Sequence, residues 1–477
     1  MKFNTLRILG PEGVSRIDRA AKSILERTGV IVPHERMLAL FEKAGAKVDH
    51  QGQRVRIPPA LVDQCVAQAG KSFTIYGRDR TRKAAFGQGC RNYNSIAGEA
   101  SWLDFDGHRR FCTLDDVIQA AKLGDVLPNL TIVGAMSDPH EMAVGSRCVA
   151  VADAQLRTTT KPITFWFYDG PSAKYVVELF AALAGSKEEL AKFPPAYPFL
   201  EPISPLRFAR VGIDLLFETC QVPLPVPIGP MAQTGMSAPG TLAGTVAQET
   251  AEVLAGVCVT QLIHPGTPVC FGGICHAFDM RTTQMIFSGP EQGLMAVATT
   301  EMGKHYGLPV YINVGLTDSK VVDAQAGLEC AASLLAGAMA GADIFGHMGI
   351  SGVDQASSLE ILTFQDEVIG YVERMMRGFE IDDEHLALDL IDEVGPGGVF
   401  IDQPHTAQHF RKELWMPTVL DREYWPAWEA AGRPNTAQRT RQRMMDLLAS
   451  YQPRPMDDRA SRDMAKVLAA AKQELGK

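Results

Sequence analysis

The chain has 477 residues, a formal net charge of −9 at pH 7, 46% hydrophobic residues and 21% charged residues. This composition is typical of a globular protein, and its acidic balance gives no electrostatic reason to expect nucleic acid or an anionic membrane as a partner. The nine cysteines are dispersed without a Cys-x-x-Cys pair, which favours reduced thiols in the cytoplasm over a disulfide framework. We expect no secretory signal, because the first residues lack an apolar stretch of the kind such signals contain, and no apolar run is long enough to span a bilayer.

Residues 1–88 are predicted to form a small N-terminal α/β module. Apolar residues at helical spacing indicate a helix over 13–28 and a second helix after Pro33. A short strand over 54–57, a helix opened by two prolines and a strand over 72–76 follow. The stretch 77–83, rich in arginine and glycine, is the predicted boundary of this module.

From about residue 90, short strand-like stretches alternate with helical ones. The predicted strands are 92–96, 131–135, 161–167, 197–201, 224–229, 268–273, 309–315 and 342–347. Eight strands separated by helices require parallel pairing, and together they match a (β/α)8 TIM barrel over residues 89–377. An open doubly wound sheet is the alternative, but no glycine-rich phosphate turn follows an early strand. The fold class is therefore α/β, a barrel with an N-terminal module and a helical C-terminal extension over 378–477.

The stretch 309–342 shows the strand–loop–helix unit most clearly. Val310, Ile312 and Val314 alternate with Tyr311 and Asn313. Outer faces of barrel strands pack against helices and are apolar, so Tyr311 and Asn313 are predicted to face the lumen.

The loop 317–320 has a simple structural explanation. Asp318 or Ser319 is predicted to cap a helix that begins near Val321, and the Gly-Pro-Glu sequence at 289–291 is predicted to open another helix. Loops of this kind lie at the carboxyl ends of barrel strands, where barrel enzymes place their active sites. Asp318 is therefore also a candidate site residue.

Two more strand ends carry titratable side chains. With Ile344 and Leu200 facing outwards, alternation predicts that four residues face the lumen: Phe345, His347, Phe199 and Glu201. We take Glu201, Asp318 and His347 as candidate catalytic residues. The alternatives are a neutral histidine bonded to backbone and a carboxylate in an ion pair.

Aromatic residues are frequent near the predicted strand ends. The candidate substrate-binding residues are Tyr93, Phe165, Trp166, Phe199, Tyr311 and Asn313. An aromatic residue at any one position belongs more often to the core, but together with a carboxylate such rings are suited to a quaternary ammonium ion.

An ordered set of short motifs resembles the trimethylamine methyltransferase family. The matching residues are Gly272-Gly273, Gly289-Pro290-Glu291, Leu308-Pro309, Thr317-Asp318-Ser319-Lys320, Asp323, Gln325-Ala326-Gly327, Glu329, Ser358-Leu359-Glu360, Asp366-Glu367, Ile369-Gly370, His405-Thr406, His409 to Glu413 and Trp415-Met416-Pro417. Each motif is weak alone, but the ordered set is specific and covers most of the chain from about residue 90.

The resemblance implies a barrel that moves a methyl group from an amine to the cobalt of a corrinoid (cobalamin) carried by a separate small protein. It also implies a homo-oligomer and no bound metal of the enzyme's own. Archaeal trimethylamine enzymes of this family carry pyrrolysine, whereas this chain contains only standard residues. It therefore resembles the branch whose members demethylate quaternary amines such as glycine betaine. Loss of a neutral tertiary amine needs no proton, which agrees with the absence of a nucleophile–base motif.

Three alternatives stay open from the sequence. One is a tertiary amine substrate, and a second is a barrel that binds betaines without turnover. The third is a zinc-dependent corrinoid methyltransferase, which is disfavoured because Cys270, Cys275 and His276 lack a convincing further ligand. In the last hundred residues, tryptophans among arginines indicate an arm that packs on the barrel or on another subunit.

Overall fold

The structure is a computed structural model that describes residues 6–476. The N-terminal part contains α1 (Gly10–Arg27), β1 (Val30–Ile31), α2 (Glu35–Lys43), β2 (Lys47–Asp49), β3 (Arg54–Arg56), α3 (Pro59–Gln68), β4 (Phe73–Tyr76) and β5 (Lys83–Phe86). Strands β1, β3 and β2 form a small antiparallel sheet. The helices and strands expected there are present, and the arginine-rich stretch 77–82 connects the antiparallel strands β4 and β5.

The central part repeats strands and helices. In chain order it contains β6 (Asn92–Ser95), β7 (Ser101–Leu103), β8 (Arg109–Phe111), α4 (Leu114–Val126), β9 (Val133–Gly134), α5 (Val144–Thr158), β10 (Ile163–Thr164), α6 (Gly170–Ala184), α7 (Lys187–Lys192), α8 (Arg210–Thr219), β11 (Val226–Ile228), β12 (Gln233–Thr234), α9 (Leu242–Ile263), β13 (Val269–Gly273), β14 (His276–Asp279), β15 (Gln284–Ile286), α10 (Pro290–His305), β16 (Val310–Ile312), α11 (Ala324–Ala340), β17 (Ile344–Met348), β18 (Ile350–Ser351), β19 (Ala356–Ser357) and α12 (Leu359–Arg377).

A curled parallel sheet organises this part of the molecule. Its strand order is β11-β13-β16-β17-β6, and β9 and β10 form a separate parallel pair. Single parallel bridges join Asn94 to Ile132 and Leu200 to Ile228, so the predicted strand over 197–201 is reduced to one bridge. The continuous ladders therefore establish an α/β fold with a half-barrel of parallel strands.

Two apolar layers lie on opposite faces of the sheet. The outer layer, between strands and helices, includes Val310, Ile312, Val314, Leu334 and Phe345. The inner layer consists of Phe73, Ile75, Ala84, Phe86, Ile132, Tyr197, Cys270, Tyr311 and Ile344. The hairpin β4–β5 thus closes the inner space from one end, and full burial of each such side chain stabilises the fold by about 1.5–3 kcal/mol.

The helix after β16 begins later than the sequence predicts. Asp323 caps α11, because its side chain accepts a hydrogen bond from the Ala326 backbone N–H. The expectation that Asp318 or Ser319 caps a helix near Val321 is therefore wrong. The predicted start at Gly289-Pro290 is confirmed, since Gly289 is the N-cap residue of α10.

The C-terminal part is helical, as predicted. It contains α13 (Asp383–Leu386), α14 (Leu388–Val394), α15 (Pro404–Glu413), α16 (Trp425–Ala430), α17 (Thr436–Ser450) and α18 (Asp458–Leu475). Helix α17 packs against α4 and α12, and α18 packs against α5 and α6. Over the described residues, no helix has both the length and the apolar character needed to cross a membrane.

Candidate active site

Four rings meet near the carboxyl ends of the parallel strands, and we call them the aromatic cup: Trp166, Phe199, Tyr311 and His347. The ring centroids of Trp166 and Phe199 are 6.3 Å apart, and those of Phe199 and Tyr311 are 5.3 Å apart. His347 lies 5.7 Å from Tyr311 and 6.4 Å from Trp166, which closes the circle. The structure therefore brings together four of the residues that the sequence singled out.

Backbone contacts hold two of these rings in place. The Trp166 indole N–H donates a 2.8 Å hydrogen bond to the carbonyl of Gly98. The Tyr311 hydroxyl lies so close to the main chain of β17 that a Cβ at Gly346 would be 2.0 Å from the hydroxyl oxygen. Only glycine fits at this position, and Tyr311 is buried and held against it.

His347 reaches the cup through an irregularity in β17. The register between β17 and β6 shifts between Phe345 and Met348, as in a β-bulge, and His347 has a φ of 70°. Ile344 lies in the inner layer and Phe345 in the outer one. The predictions that Ile344 faces outwards and Phe345 inwards are therefore wrong, because alternation does not hold across the bulge that separates Phe345 from His347.

Two buried histidines near the cup are neutral at physiological pH. Burial lowers the pKa of His347 to about 4. Burial, followed by the proximity of His347, lowers the pKa of His276 to about 3. The site therefore contains imidazoles without positive charge, which matters for any cationic ligand.

Glu201 supplies a carboxylate beside the cup. Its side chain is exposed to solvent, although protein atoms crowd around the carboxyl group. This burial, together with the neighbouring Asp354 carboxylate, raises the pKa of Glu201 to about 7. Glu201 also acts electrostatically on the Tyr311 hydroxyl, so it belongs to the same space.

A second acidic group lies near Glu201. Burial raises the pKa of Glu99, and Asp354 lies within hydrogen-bonding reach of it and raises it further. The pKa of Asp354 is also raised by burial, and Asp138 adds to the negative field at Glu99. Two carboxyl groups in such contact share a proton near neutral pH.

Several polar atoms close to these groups have no partner within the described part of the chain. Both amide atoms of Asn313 are buried without a hydrogen bond, as are Asn94 Oδ1 and both ring nitrogens of His276. His276 stacks on Phe287 at 4.4 Å. A buried polar group without a partner is destabilising by about 1–3 kcal/mol, so these groups point to a polar ligand or water.

Two predicted substrate residues lie elsewhere. Tyr93 packs in the outer layer, where its ring stacks on Phe345 and its hydroxyl donates to Glu373 of α12. Phe165 stacks on Phe167 and meets Phe180 of α6, so it also faces the helices. The structure does not bring Tyr93 or Phe165 into the cup.

Asp318 links its own loop to the segment that contains Phe287. Its carboxylate accepts a 3.1 Å hydrogen bond from the Phe287 backbone N–H, and it thereby ties this loop to the segment that carries the ring stacked on His276. Burial, then the nearby Glu329, raises the pKa of Asp318 to about 6.

Sequence analysis missed Asn94, His276, Glu99 and Asp354. A signal for Asn94 was present, because it alternates with Tyr93 in β6 and polar residues of an internal strand face tend to line a lumen. For the other three, no spacing in the sequence indicates proximity to Glu201 or His347.

Comparisons with known proteins identify the family of the chain. The sequence matches the trimethylamine methyltransferase (MTTB) family over residues 1–476. It is 30% identical over 477 residues to a glycine betaine methyltransferase of Desulfitobacterium hafniense strain Y51, covering 100% of this chain and 98% of that protein. It is 28% identical to the trimethylamine methyltransferase MttB of Methanosarcina thermophila, covering 96% of each chain.

Among solved structures, the monomethylamine methyltransferase of Methanosarcina barkeri aligns with a TM-score of 0.48 and 9% sequence identity, over 97% of this chain and 92% of that chain. The sequence matches define the class of protein as a methyltransferase. The chain belongs to the trimethylamine methyltransferase family.

The raised pKa of Glu201 predicts how the variant Glu201→Gln responds to pH. Between the ordinary pKa of 4.5 and the folded value of about 7, the folded protein holds a proton that the unfolded chain has released. This group's contribution to stability therefore falls as pH rises through that window. Relative to the unchanged protein, the melting temperature of Glu201→Gln is expected to rise from about pH 5 to about pH 8. A flat difference for Glu201→Gln would contradict the assignment.

Proposed function

We propose that this enzyme transfers a methyl group from a quaternary amine of the betaine type to the Co(I) of a corrinoid held by a separate small protein. The similarity to a named glycine betaine methyltransferase over the whole chain supports this substrate class. A cytoplasmic location and the corrinoid-carrying partner are part of the same proposal.

The observation that carries the proposal is the composition of the aromatic cup. Trp166, Phe199 and Tyr311 present rings around a space whose histidines are neutral. Each ring attracts a cation by about 0.5–2 kcal/mol when water is excluded. Glu201, which is close to half ionised at neutral pH, supplies the balancing negative charge and loses its proton more readily once a cation is bound.

The tail of a betaine carries a carboxylate, and we propose that Asn313 binds it. The amide of Asn313 is buried with both polar atoms unpaired, so its N–H groups are available as donors. His347, a neutral member of the cup, supplies a ring N–H as a further donor. The cationic head and the anionic tail would then contact opposite ends of one cavity.

In this proposal the residues act by placement rather than by proton transfer. The corrinoid, when its carrier protein docks, supplies the cobalt nucleophile that accepts the methyl group. Displacement releases a neutral tertiary amine, so no general acid is needed. The chain itself holds the ammonium head between the rings and keeps water away from it, and the hydrogen bond from Trp166 to Gly98 fixes the ring orientation.

We propose further that the parallel sheet closes as a (β/α)8 barrel, with the divisions 1–88, 89–377 and 378–477. Pairing of β17 with β6, the last and first strands of the series, supports closure on one side. Closure on the other side is supported by the bridges at Asn94 and Leu200 and by the hydrogen bond from the Ile163 N–H to the Pro195 carbonyl.

We propose that segment 379–430 packs against a second copy of the chain. Within this segment only His409 and Val419 are buried, while its exposed apolar residues include Phe379, Ile381, Leu388, Ile401 and Trp425. A concentration of exposed apolar side chains in one segment is typical of a protein interface. Light scattering is expected to give at least twice the chain mass of 51.9 kDa; a monomer at micromolar concentration would contradict this.

The substrate proposal is tested with Co(I) cobalamin and a panel of methylated amines, following loss of the Co(I) absorbance. Glycine betaine and related quaternary amines are expected to react, and trimethylamine is not. Trp166→Leu should weaken substrate binding by about 2- to 30-fold, from the loss of one cation–π contact. Phe165→Leu is the matched control, because Phe165 faces the helices and binding should be unchanged. Transfer from tertiary amines alone would overturn the assignment.

The tail contact has its own test in ligand binding to Asn313→Leu, a substitution of similar volume. Glycine betaine binding is expected to weaken by about tenfold, since one hydrogen bond to a charged group is worth about 1.5 kcal/mol or more. Tetramethylammonium lacks the carboxylate and should bind as to the unchanged protein. Equal losses for both ligands would place Asn313 at the head rather than at the tail.

A further inference from the structure

Three histidines of α13 and α15, in the C-terminal part of the chain, lie close to one another. His405 and His409 are one turn apart on α15, and their ring centroids are 4.2 Å apart. His385, from α13, lies 5.3 Å from His409. The Glu384 carboxylate is adjacent, with Oε1 3.3 Å from His409 Nε2. Two histidines at i and i+4 on one helix face, joined by a third, are a typical arrangement of metal ligands.

In the rings of His385 and His405, one nitrogen donates a hydrogen bond to a neighbouring oxygen. The other nitrogen of each ring is available to a ligand. His385 Nδ1 lies 2.6 Å from Asp382 Oδ1, and because a carboxylate only accepts, this nitrogen donates. His405 Nε2 likewise donates to the backbone carbonyl of Glu384 at 3.0 Å. A carboxylate or carbonyl behind the ring is the usual support of a metal-bound histidine, because it orients the opposite nitrogen and raises its basicity.

Two of the ring nitrogens lack a hydrogen bond within the described residues. His385 Nε2 and His409 Nε2 are buried without a hydrogen bond, even though Glu384 is close to the latter. His409 is only 8% exposed, whereas the residues around it are mostly exposed. Burying a ring nitrogen without a partner is unfavourable, so these two atoms indicate that something binds between the rings.

The surroundings explain why a bound ion would matter. From residue 379 to residue 416, His409 is the one buried side chain, so α13, α14 and α15 have almost no apolar core of their own. Small structures without a core are typically held together by disulfides or metal ions. The cysteines of this chain all lie outside the segment.

We propose that His385, His405 and His409, with Glu384 as a fourth ligand, bind one divalent transition-metal ion of the zinc class that fastens α13 to α15. Imidazoles with one carboxylate suit such an ion better than Mg²⁺ or Ca²⁺, which prefer oxygen ligands. The site is separate from the chemistry at the cup. It departs from the sequence-based expectation of no bound metal.

The ligand atoms of the three histidines and Glu384 do not all lie within 4.8 Å of one another. Within the described residues, the set of side chains whose ligand atoms all lie within 4.8 Å of one another is Asp104, Asp106 and His108, on an exposed hairpin turn. There Asp104 Oδ1 already accepts two backbone N–H groups, which accounts for its position without an ion. At the histidine group, binding requires α13 and α15 to move closer together while the hydrogen bonds of His385 Nδ1 and His405 Nε2 are kept.

The test uses the full-length protein, stripped with a chelator and titrated with Zn²⁺ alone. One ion per chain is expected by elemental analysis, and Co²⁺ in its place should give the visible absorption of a four-coordinate site. His385→Ala and His405→Ala should each weaken Zn²⁺ binding by at least about tenfold. These two residues are only partly buried, so circular dichroism should show an unchanged fold.

Control variants separate this site from the other possibilities. His108→Ala, at the exposed hairpin turn, should leave Zn²⁺ binding unchanged. Zn²⁺ should also protect the protein from trypsin at Arg411 and Lys412, and this protection should be lost in His405→Ala. No binding at micromolar Zn²⁺, or binding that persists in both alanine variants, would overturn the proposal.

Discussion

Removal of charged and polar groups from water is the constraint on which the rest of this structure depends. Inside the curled sheet, burial keeps His347 and His276 neutral and raises the pKa of Glu201 to about 7. A cavity of this kind disfavours ions unless they bring a compensating charge. It therefore favours a ligand with a diffuse positive charge, which the faces of aromatic rings attract in place of water.

Close approach of the main chain sets the shape of the same cavity. Tyr311 fits beside β17 only because residue 346 is glycine, and the bulge that follows turns His347 back toward the lumen at a φ of 70°. A non-glycine residue in this conformation is strained, and such strain is concentrated at functional sites. Placement of His347 is thus a consequence of backbone geometry and not of the strand's alternation.

In the C-terminal segment, by contrast, most side chains stay exposed to solvent. Residues 379–430 bury almost nothing against their own chain, yet their helices are regular and capped, for example by Asp382 at α13. Regular helices with exposed apolar faces need contacts from outside, because short isolated helices are marginal in water. A second copy across the apolar surface and an ion among the histidines would act together in ordering this segment.

The sequence by itself determined the α/β class, most strands and helices, the start of α10 and the relationship to the methyltransferase family, because periodicity and ordered motifs are local signals. It also predicted Trp166, Phe199, Tyr311 and His347 as candidate site residues. Which face Tyr93, Phe165 and Phe345 occupy was decided only by tertiary structure: a bulge inverts alternation, and an aromatic ring fits either side of a sheet covered on both faces. The grouping of Glu201 with Asp354 and Glu99, and of His385 with His409, likewise depends on contacts between distant segments that no spacing along the chain encodes.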